Sequence, residues 1–320
     1  MLRYTIKRIL WMIPIVLCVS ILVFTLMYFA PGEPAKIILG PNASVDQIEV
    51  LEKELGLDQP YLVRLVNYLN QAFLHGDLGK SWQTNVSISE SLMQRLPRTL
   101  ILSIMILLIS LIVGIPLGIS AATHQNQWKD TLSMFIALLG VSMPSFWLAL
   151  LLVLLFSVKL GWLPATGYEG IEYYILPMLA GCWGGIATMA RQTRSSMLEV
   201  IRSDYVTTAR AKGLKERSVI YKHALPNALI PIITMAGTSF GRMLGGTVVL
   251  ETIFAIPGVG TYMIGAVNSR DYPVVQGGVI FLAIAFSVCM LIVDLVYAAV
   301  DPRIKAQYEV KKKVRKNEEE

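Results

Sequence analysis

The feature that most constrains this chain is a set of six apolar runs, at 9–30, 99–122, 132–158, 174–190, 228–250 and 277–300. About 20 apolar residues suffice for a helix to cross the hydrocarbon core of a bilayer. The fourth run is the weakest, being short and rich in glycine. Backbone N–H and C=O groups find no water in lipid, so such runs must satisfy them internally, as helices. Composition agrees: 54% of the 320 residues are hydrophobic and only 16% are charged, where a soluble domain carries about 25% charged residues. The sequence therefore predicts an all-α polytopic membrane protein with six transmembrane helices. The net charge of +6 does not indicate nucleic-acid binding, because the basic residues cluster between the apolar runs.

The charge distribution predicts an orientation. Lys and Arg accumulate in cytoplasmic loops. Arg3, Lys7 and Arg8 precede the first run without an acid; 191–227 holds eight basic against three acidic residues; the tail after residue 300 holds seven basic residues. The alternate segments are acidic, with five basic against eight acidic residues over 31–97, and Glu169 and Glu172 without a base over 161–173. Six crossings place all three basic segments, and both termini, in the cytoplasm. The first run is too long for the apolar region of a secretory signal and lacks a small-residue cleavage site, so it reads as a retained helix.

The predicted organisation is a first transmembrane helix (1–30), an extracytoplasmic helical segment (31–97), a five-helix core (98–300) that includes a cytoplasmic loop (191–227), and a charged, disordered tail (301–320). Within the outer segment, Ser44 and Gln47 form a capping-box pattern. Gly56 reads as a helix stop, and Pro60 suits the first position of the next helix. Met143-Pro144 marks a kink in the third span. Cys18, Cys182 and Cys289 all lie in apolar runs and read as buried, inert thiols. The three histidines are far apart, so no metal site is expected.

The most informative stretch is 204–226. Ser203 or Asp204 can cap a helix, and Val206, Ala209 and Leu214 mark an apolar stripe. Gly213 permits a sharp turn. Val219, Ile220 and Leu225 mark a second stripe, which Pro226 ends before the fifth span. The pattern is a rigid helix-turn-helix on the cytoplasmic side. A pair of helices lying on anionic headgroups fits the spacing equally well.

These residues resemble the EAA loop of ABC importer permeases, the element that docks on the ATPase subunit. Ala209, Gly213, Leu225 and Pro226 match at the family's spacing; Thr207, Thr208 and His223 depart from it. The form Asp-Tyr-Val-x-Thr-Ala-Arg-Ala-Lys-Gly-Leu is similar to the dipeptide, oligopeptide and nickel branch. So are Leu55-Gly-Leu-Asp-Gln-Pro60, His75-Gly-Asp-Leu-Gly79, Arg95-Leu-Pro-Arg-Thr99, Glu251-Thr-Ile-Phe-Ala-Ile-Pro-Gly-Val-Gly260 and Asp301-Pro-Arg303, in order along nearly the whole chain. The resemblance implies a type I permease fold and an ATPase-coupling site at Asp204, Tyr205, Ala209, Arg210, Ala211, Lys212, Gly213, Leu214, Leu225 and Pro226. It implies four kinds of partner: a second homologous permease, two ATP-binding subunits, an extracytoplasmic solute-binding protein and the membrane. The chain has no phosphate-binding G-x-x-x-x-G-K-[ST] loop, so no cofactor is expected on it, and ATP and Mg belong to the separate subunits. The implied cargo is a di- or oligopeptide, with nickel complexes and glutathione as alternatives. An ion-coupled transporter or a membrane enzyme is disfavoured, since Asp294 is the only candidate for an acid relay and no nucleophile or metal cluster is visible.

Three further features stand out in the spans. Gly237, Gly241 and Gly245 recur at fourfold spacing and suit close helix contact, within the chain or with the partner permease, or else a pore-lining seam. Arg242 lies about 21 Å along the fifth run. It is open to three roles: lining the path and attracting a substrate carboxylate, pairing with Glu251 or an acid of the partner permease, or reaching out to the interface. Asp294 is expected to pair with Arg303 or with a base on another helix.

Overall fold

The computed structural model describes residues 2–30, 34–40 and 42–300; the tail 301–320, with its Asp301-Pro302-Arg303 motif, lies outside them. The described residues are helical throughout, apart from turns and one isolated bridge between Lys80 and Ser87.

Helix α1 (Leu2–Phe29) is followed by three short helices, α2 (Pro34–Leu39), α3 (Val45–Glu54) and α4 (Tyr61–Leu74). The capping box forms, with Ser44 accepting from Gln47 N–H and the Gln47 side chain accepting from Ser44 N–H. Gly56 adopts φ +65° just past the end of α3. Pro60 stands one residue before α4, and not at its first position.

Helix α5 (Ile88–Thr123) spans 36 residues, about 54 Å at helical rise. It runs straight through Pro97, so the expected boundary between outer segment and core at 97/98 falls inside a helix. The bond lost at proline is outweighed by packing on either side: Ile88 and Leu92 are fully buried against Val259 and Val274. Next come α6 (Trp128–Ser142) and α7 (Ser145–Leu152), the latter widening into a π-helical turn at Val153–Lys159. The kink expected at Met143-Pro144 is present, and it is large. The chain turns by 91° between these helices, where Met143 takes the extended backbone that a following proline imposes.

Helix α8 (Glu172–Ile201) exceeds the expected 174–190 at both ends. It packs on α5, α6, α7 and α11, which bury its Thr193 and Ser196, while Arg191, Ser195 and Glu199 on another flank are exposed. Among the described residues, four helices are long and apolar enough to cross a membrane, five with the bent pair counted as one span; α8, 30 residues long, is a further membrane-length element. The most extensive helix seam is α5 on α8, where Ser110, Gly114 and Gly118 face Gly185, Met189 and Thr193. A Cβ at Gly118 would lie 2.5 Å from Ala190 O.

Helix α9 (Asp204–Ala211), the one-turn α10 (Glu216–Ser218), a π segment (Val219–Ala224) and α11 (Leu225–Gly246) follow. The expected loop 191–227 is thus largely helix: α8 supplies its start, and a single rod running from 216 into α11 supplies its end. Beyond Thr247 come α12 (Val248–Ile253), α13 (Val259–Asn268) and α14 (Tyr272–Val300). The two ends of α5 define two faces of the bundle. Ile119 and Ala122 pack with the 206–228 region, and Ile88 packs with α13, Leu78 and Met27. Cys182 and Cys289 are buried, whereas Cys18 is exposed on α1, contrary to expectation.

Candidate coupling site and the acid buried on the far face

The elbow between α9 and α11 is held from below and open above. Val206, Ala209, Val219, Ile220 and Ala224 are buried against Ile119, Ala122 and Met197, at the ends of α5 and α8. Two sequence assignments change here. Leu214 is 41% exposed and does not continue the apolar stripe. Ser203 occupies the N-cap of α9, yet its hydroxyl donates to Val200 O and closes the preceding helix instead.

The turn itself rests on Gly213, whose φ of +75° is a conformation L-residues avoid. Its N–H donates to Arg210 O. Across the turn the Arg210 guanidinium grips Glu216, with Nη2 at 2.8 Å and Nε at 3.1 Å from carboxylate oxygens. Asn227 Nδ2 donates to Tyr205 Oη at 2.7 Å, tying α9 to the base of α11. Asp204, Tyr205, Arg210, Ala211, Lys212, Gly213 and Leu214 are all exposed, as are Lys215, Arg217, Tyr221 and Lys222. Ala209 is buried, Leu225 half-buried and Pro226 exposed.

Pro226 does not end a helix, contrary to expectation. The π segment just before it widens the turn, which relieves the clash between the proline ring and the carbonyl four residues back. The elbow is consequently the end of the α11 rod and not an element hung from it.

The remaining singled-out residues separate. Gly237 and Gly241 are covered by Val293 and Phe286 of α14 in this same chain, whereas Gly245 meets nothing within 4 Å. Asp294 pairs with Arg8 of α1 at 3.1 Å, a base on another helix. Arg242 is exposed and makes no ion pair with Glu251, because Glu251 is already engaged elsewhere.

Glu251 is fully buried on the far face. Thr99 Oγ1 and Thr247 Oγ1 each donate to its Oε1 at 2.8 Å, and Thr261 N–H donates to Oε2 at 2.9 Å. Thr99 Oγ1 also accepts from Val259 N–H. A Cβ at Gly258 would overlap the Glu251 carboxylate, which explains the glycine after Pro257. Arg98 donates to Pro257 O at 3.3 Å. The motifs 95–99 and 251–260, distant in sequence, are therefore two halves of one polar knot. Asp271, not singled out in the sequence, is a second buried acid: it accepts from Ser81 Oγ at 2.5 Å and Trp82 N–H at 3.1 Å, pinning the 77–87 strap. Its position just before Tyr272-Pro273, at the start of an apolar run, was the available signal.

Sequence reading also missed Asp130, which receives a two-pronged bond from Arg194, Nε and Nη2 each at 2.7 Å. This fork joins α6 to α8 on the elbow face. Asp130→Asn keeps the shape and loses the charge-assisted fork. It is expected to lower stability by about 2 kcal/mol, seen as a lower thermal midpoint of the purified chain; an unchanged midpoint contradicts the role.

The comparisons with known proteins agree with this geometry. Residues 114–306 match the family described as binding-protein-dependent transport system inner membrane component, and residues 1–103 match its N-terminal companion. The dipeptide transport system permease protein DppB of Alkalihalophilus pseudofirmus is 44% identical over 95% of this chain and 100% of its own length. The glutathione transport system permease protein GsiC of Escherichia coli and of Salmonella typhimurium is 43% identical over 95% of this chain and 99% of its own. Two inward-facing crystal forms of the MetNI methionine ABC transporter match with TM-scores of 0.54 and 0.57, at 19% and 18% identity, covering 66% of this chain and 96% of the other. At that identity the likeness concerns the fold alone. Near-full-length relatives, family models and fold together place the chain in one family: it belongs to the binding-protein-dependent transport system inner membrane components, the permeases of ATP-driven importers.

Proposed function

We propose that this permease imports peptides across a bacterial cell membrane, forming half of the path with a second homologous permease. A solute-binding protein delivers the cargo from outside. Two separate subunits bind ATP and Mg and drive the cycle, and both termini lie in the cytoplasm. The observation that carries this reading is the elbow: an exposed surface mounted on a buried joint that touches α5, α8 and α11 together. A push on such a lever moves three long helices at once, and the two end states need differ only in which one the motor favours. Relatives named for dipeptide and glutathione transport support a peptide-like cargo. The direct test is uptake of radiolabelled di- and tripeptides, which deletion of this chain should abolish and its re-expression restore; uptake unaffected by deletion contradicts the reading.

The α11 face bearing Arg242 supports a place on the path. Asn227, Pro231, Thr234, Arg242 and Gly245 are exposed along it, and no large hydrophobic residue between 225 and 246 is exposed, whereas α1, α5 and α14 expose many. Such a face suits water or a partner and not lipid. Arg242 then meets the carboxylate of a passing peptide. Arg242→Met is expected to slow uptake of peptides with a free C-terminal carboxylate about tenfold, the worth of one charge-assisted bond, and to spare C-amidated peptides. Equal uptake of both by variant and wild type contradicts the role.

A further inference from the structure

The far-face helix α4 exposes an apolar flank that no described residue of the chain covers. At 100° per residue, Leu62, Val66, Leu69 and Phe73 fall within an arc of about 60°. Leu62 is 69% exposed and Val66 61%. The adjoining arc, with Tyr61 and Tyr68, faces α1, and the opposite arc carries exposed Asn67, Asn70 and Gln71 together with exposed Val63 and, in the last turn, Leu74. The helix is thus apolar on two neighbouring flanks, of which α1 covers one.

The contacts with α1 fix the depth and direction of α4. Tyr61 Oη lies 2.8 Å from Thr25 Oγ1, and its ring stands edge-on to Tyr28. Tyr68 stacks on Phe24 at 5.2 Å. Tyr61, Arg64 and Tyr68, spread over about 10 Å of α4, thus meet the stretch from Phe24 to Tyr28, about 6 Å of α1. So α4 crosses α1 and does not run alongside it. The crossing lies in the last turns of the span Arg8–Phe29, where Leu22, Leu26 and Phe29 of α1 are exposed. The tyrosines at the crossing, Tyr28, Tyr61 and Tyr68, are the residue type that gathers at headgroup level.

We propose that α4 is an interfacial helix, lying in the headgroup boundary of the far leaflet with Leu62, Val66 and Phe73 in the acyl region. The occupant of its open flank is lipid, continuous with the lipid around the end of α1. An amphipathic helix in that position is held by buried apolar area and anchors the far-face segment laterally.

The test uses the full-length permease with Cys18, Cys182 and Cys289 replaced by serine, in nanodiscs of phosphatidylethanolamine and phosphatidylglycerol. Nitroxide labels are placed singly at 62, 66, 67, 70 and 73, and collisions with oxygen and with a water-soluble nickel chelate are measured, with and without the assembled importer. Labels at 62, 66 and 73 are expected to meet oxygen several-fold more than the chelate, and labels at 67 and 70 the reverse. Equal chelate access at all five sites overturns the proposal. Shielding of 62, 66 and 73 from both reagents also overturns it, because that marks a protein partner on the flank. Each of the three flank positions decides the question independently should one labelled variant fail to fold.

Discussion

Replacing Gly213 with proline is expected to reduce uptake to background while the chain still inserts and binds its partner permease. The turn between α9 and the α11 rod needs φ near +75° at this position, and proline is locked near −65°. The turn cannot form, and its bond from Gly213 N–H to Arg210 O is lost with it. The effect reads backbone shape and not bulk, because a Cβ at Gly213 meets nothing within 4 Å. A series therefore separates the two causes. Gly213→Asn, tolerant of left-handed backbone, should keep most uptake; Gly213→Ala should lose part, at a strain of about 1–2 kcal/mol; Gly213→Pro should lose all of it. Wild-type uptake by the proline variant contradicts the rigid-elbow mechanism.

The second large effect is on stability. Glu251→Ala leaves the Thr99 and Thr247 hydroxyls and the Thr261 N–H facing a cavity with no acceptor. Orphaned buried donors cost about 1–3 kcal/mol each, less where they find substitutes, so a loss of about 3 kcal/mol is expected, among the larger effects of single substitutions. Glu251→Gln keeps an acceptor oxygen and should cost about half as much. Gly258→Ala should resemble the alanine variant, because its methyl displaces the same carboxylate. Thermal and denaturant unfolding of the purified chain measure these. An alanine variant within about 0.5 kcal/mol of wild type shows that the knot does not hold the far face together.

Much of this was legible in the sequence, and what was not has identifiable physical causes. The apolar runs located every long helix but not its full extent: α5 begins at Ile88, the rod into α11 at Glu216, and α8 runs on to Ile201, because polar turns at a helix end carry no apolar signal. Ser44 and Gln47 announced their cap because capping is local. Gly213 announced the turn for the same reason. Pro226 misled because proline ordinarily stops a helix; here the burial of Val219, Ile220 and Ala224 holds a widened turn in which the ring fits. Met143-Pro144 signalled a disturbance and not its 91° size, which neighbouring helices set. The pairing of Arg242 with Glu251 was plausible by proximity in sequence. It fails because the break at Thr247 turns Glu251 inward, towards Thr99, a residue 152 positions away. Long-range polar partners of this kind carry no local signature, although the glycine at 258 hinted at a crowded neighbour.

The measurement that bears most directly on the mechanism is a cross-link from the tip of the elbow. Leu214→Cys, in the chain with its three native cysteines replaced by serine, is joined through a short thiol–amine reagent in membranes that also contain the ATP-binding subunits. A specific adduct between residue 214 and an ATP-binding subunit, changing in yield when ATP is added, is the expected result; a cysteine at Gly76 on the far face should give none. An elbow cysteine that is labelled from outside the cell, or that never meets an ATP-binding subunit while uptake proceeds normally, contradicts it.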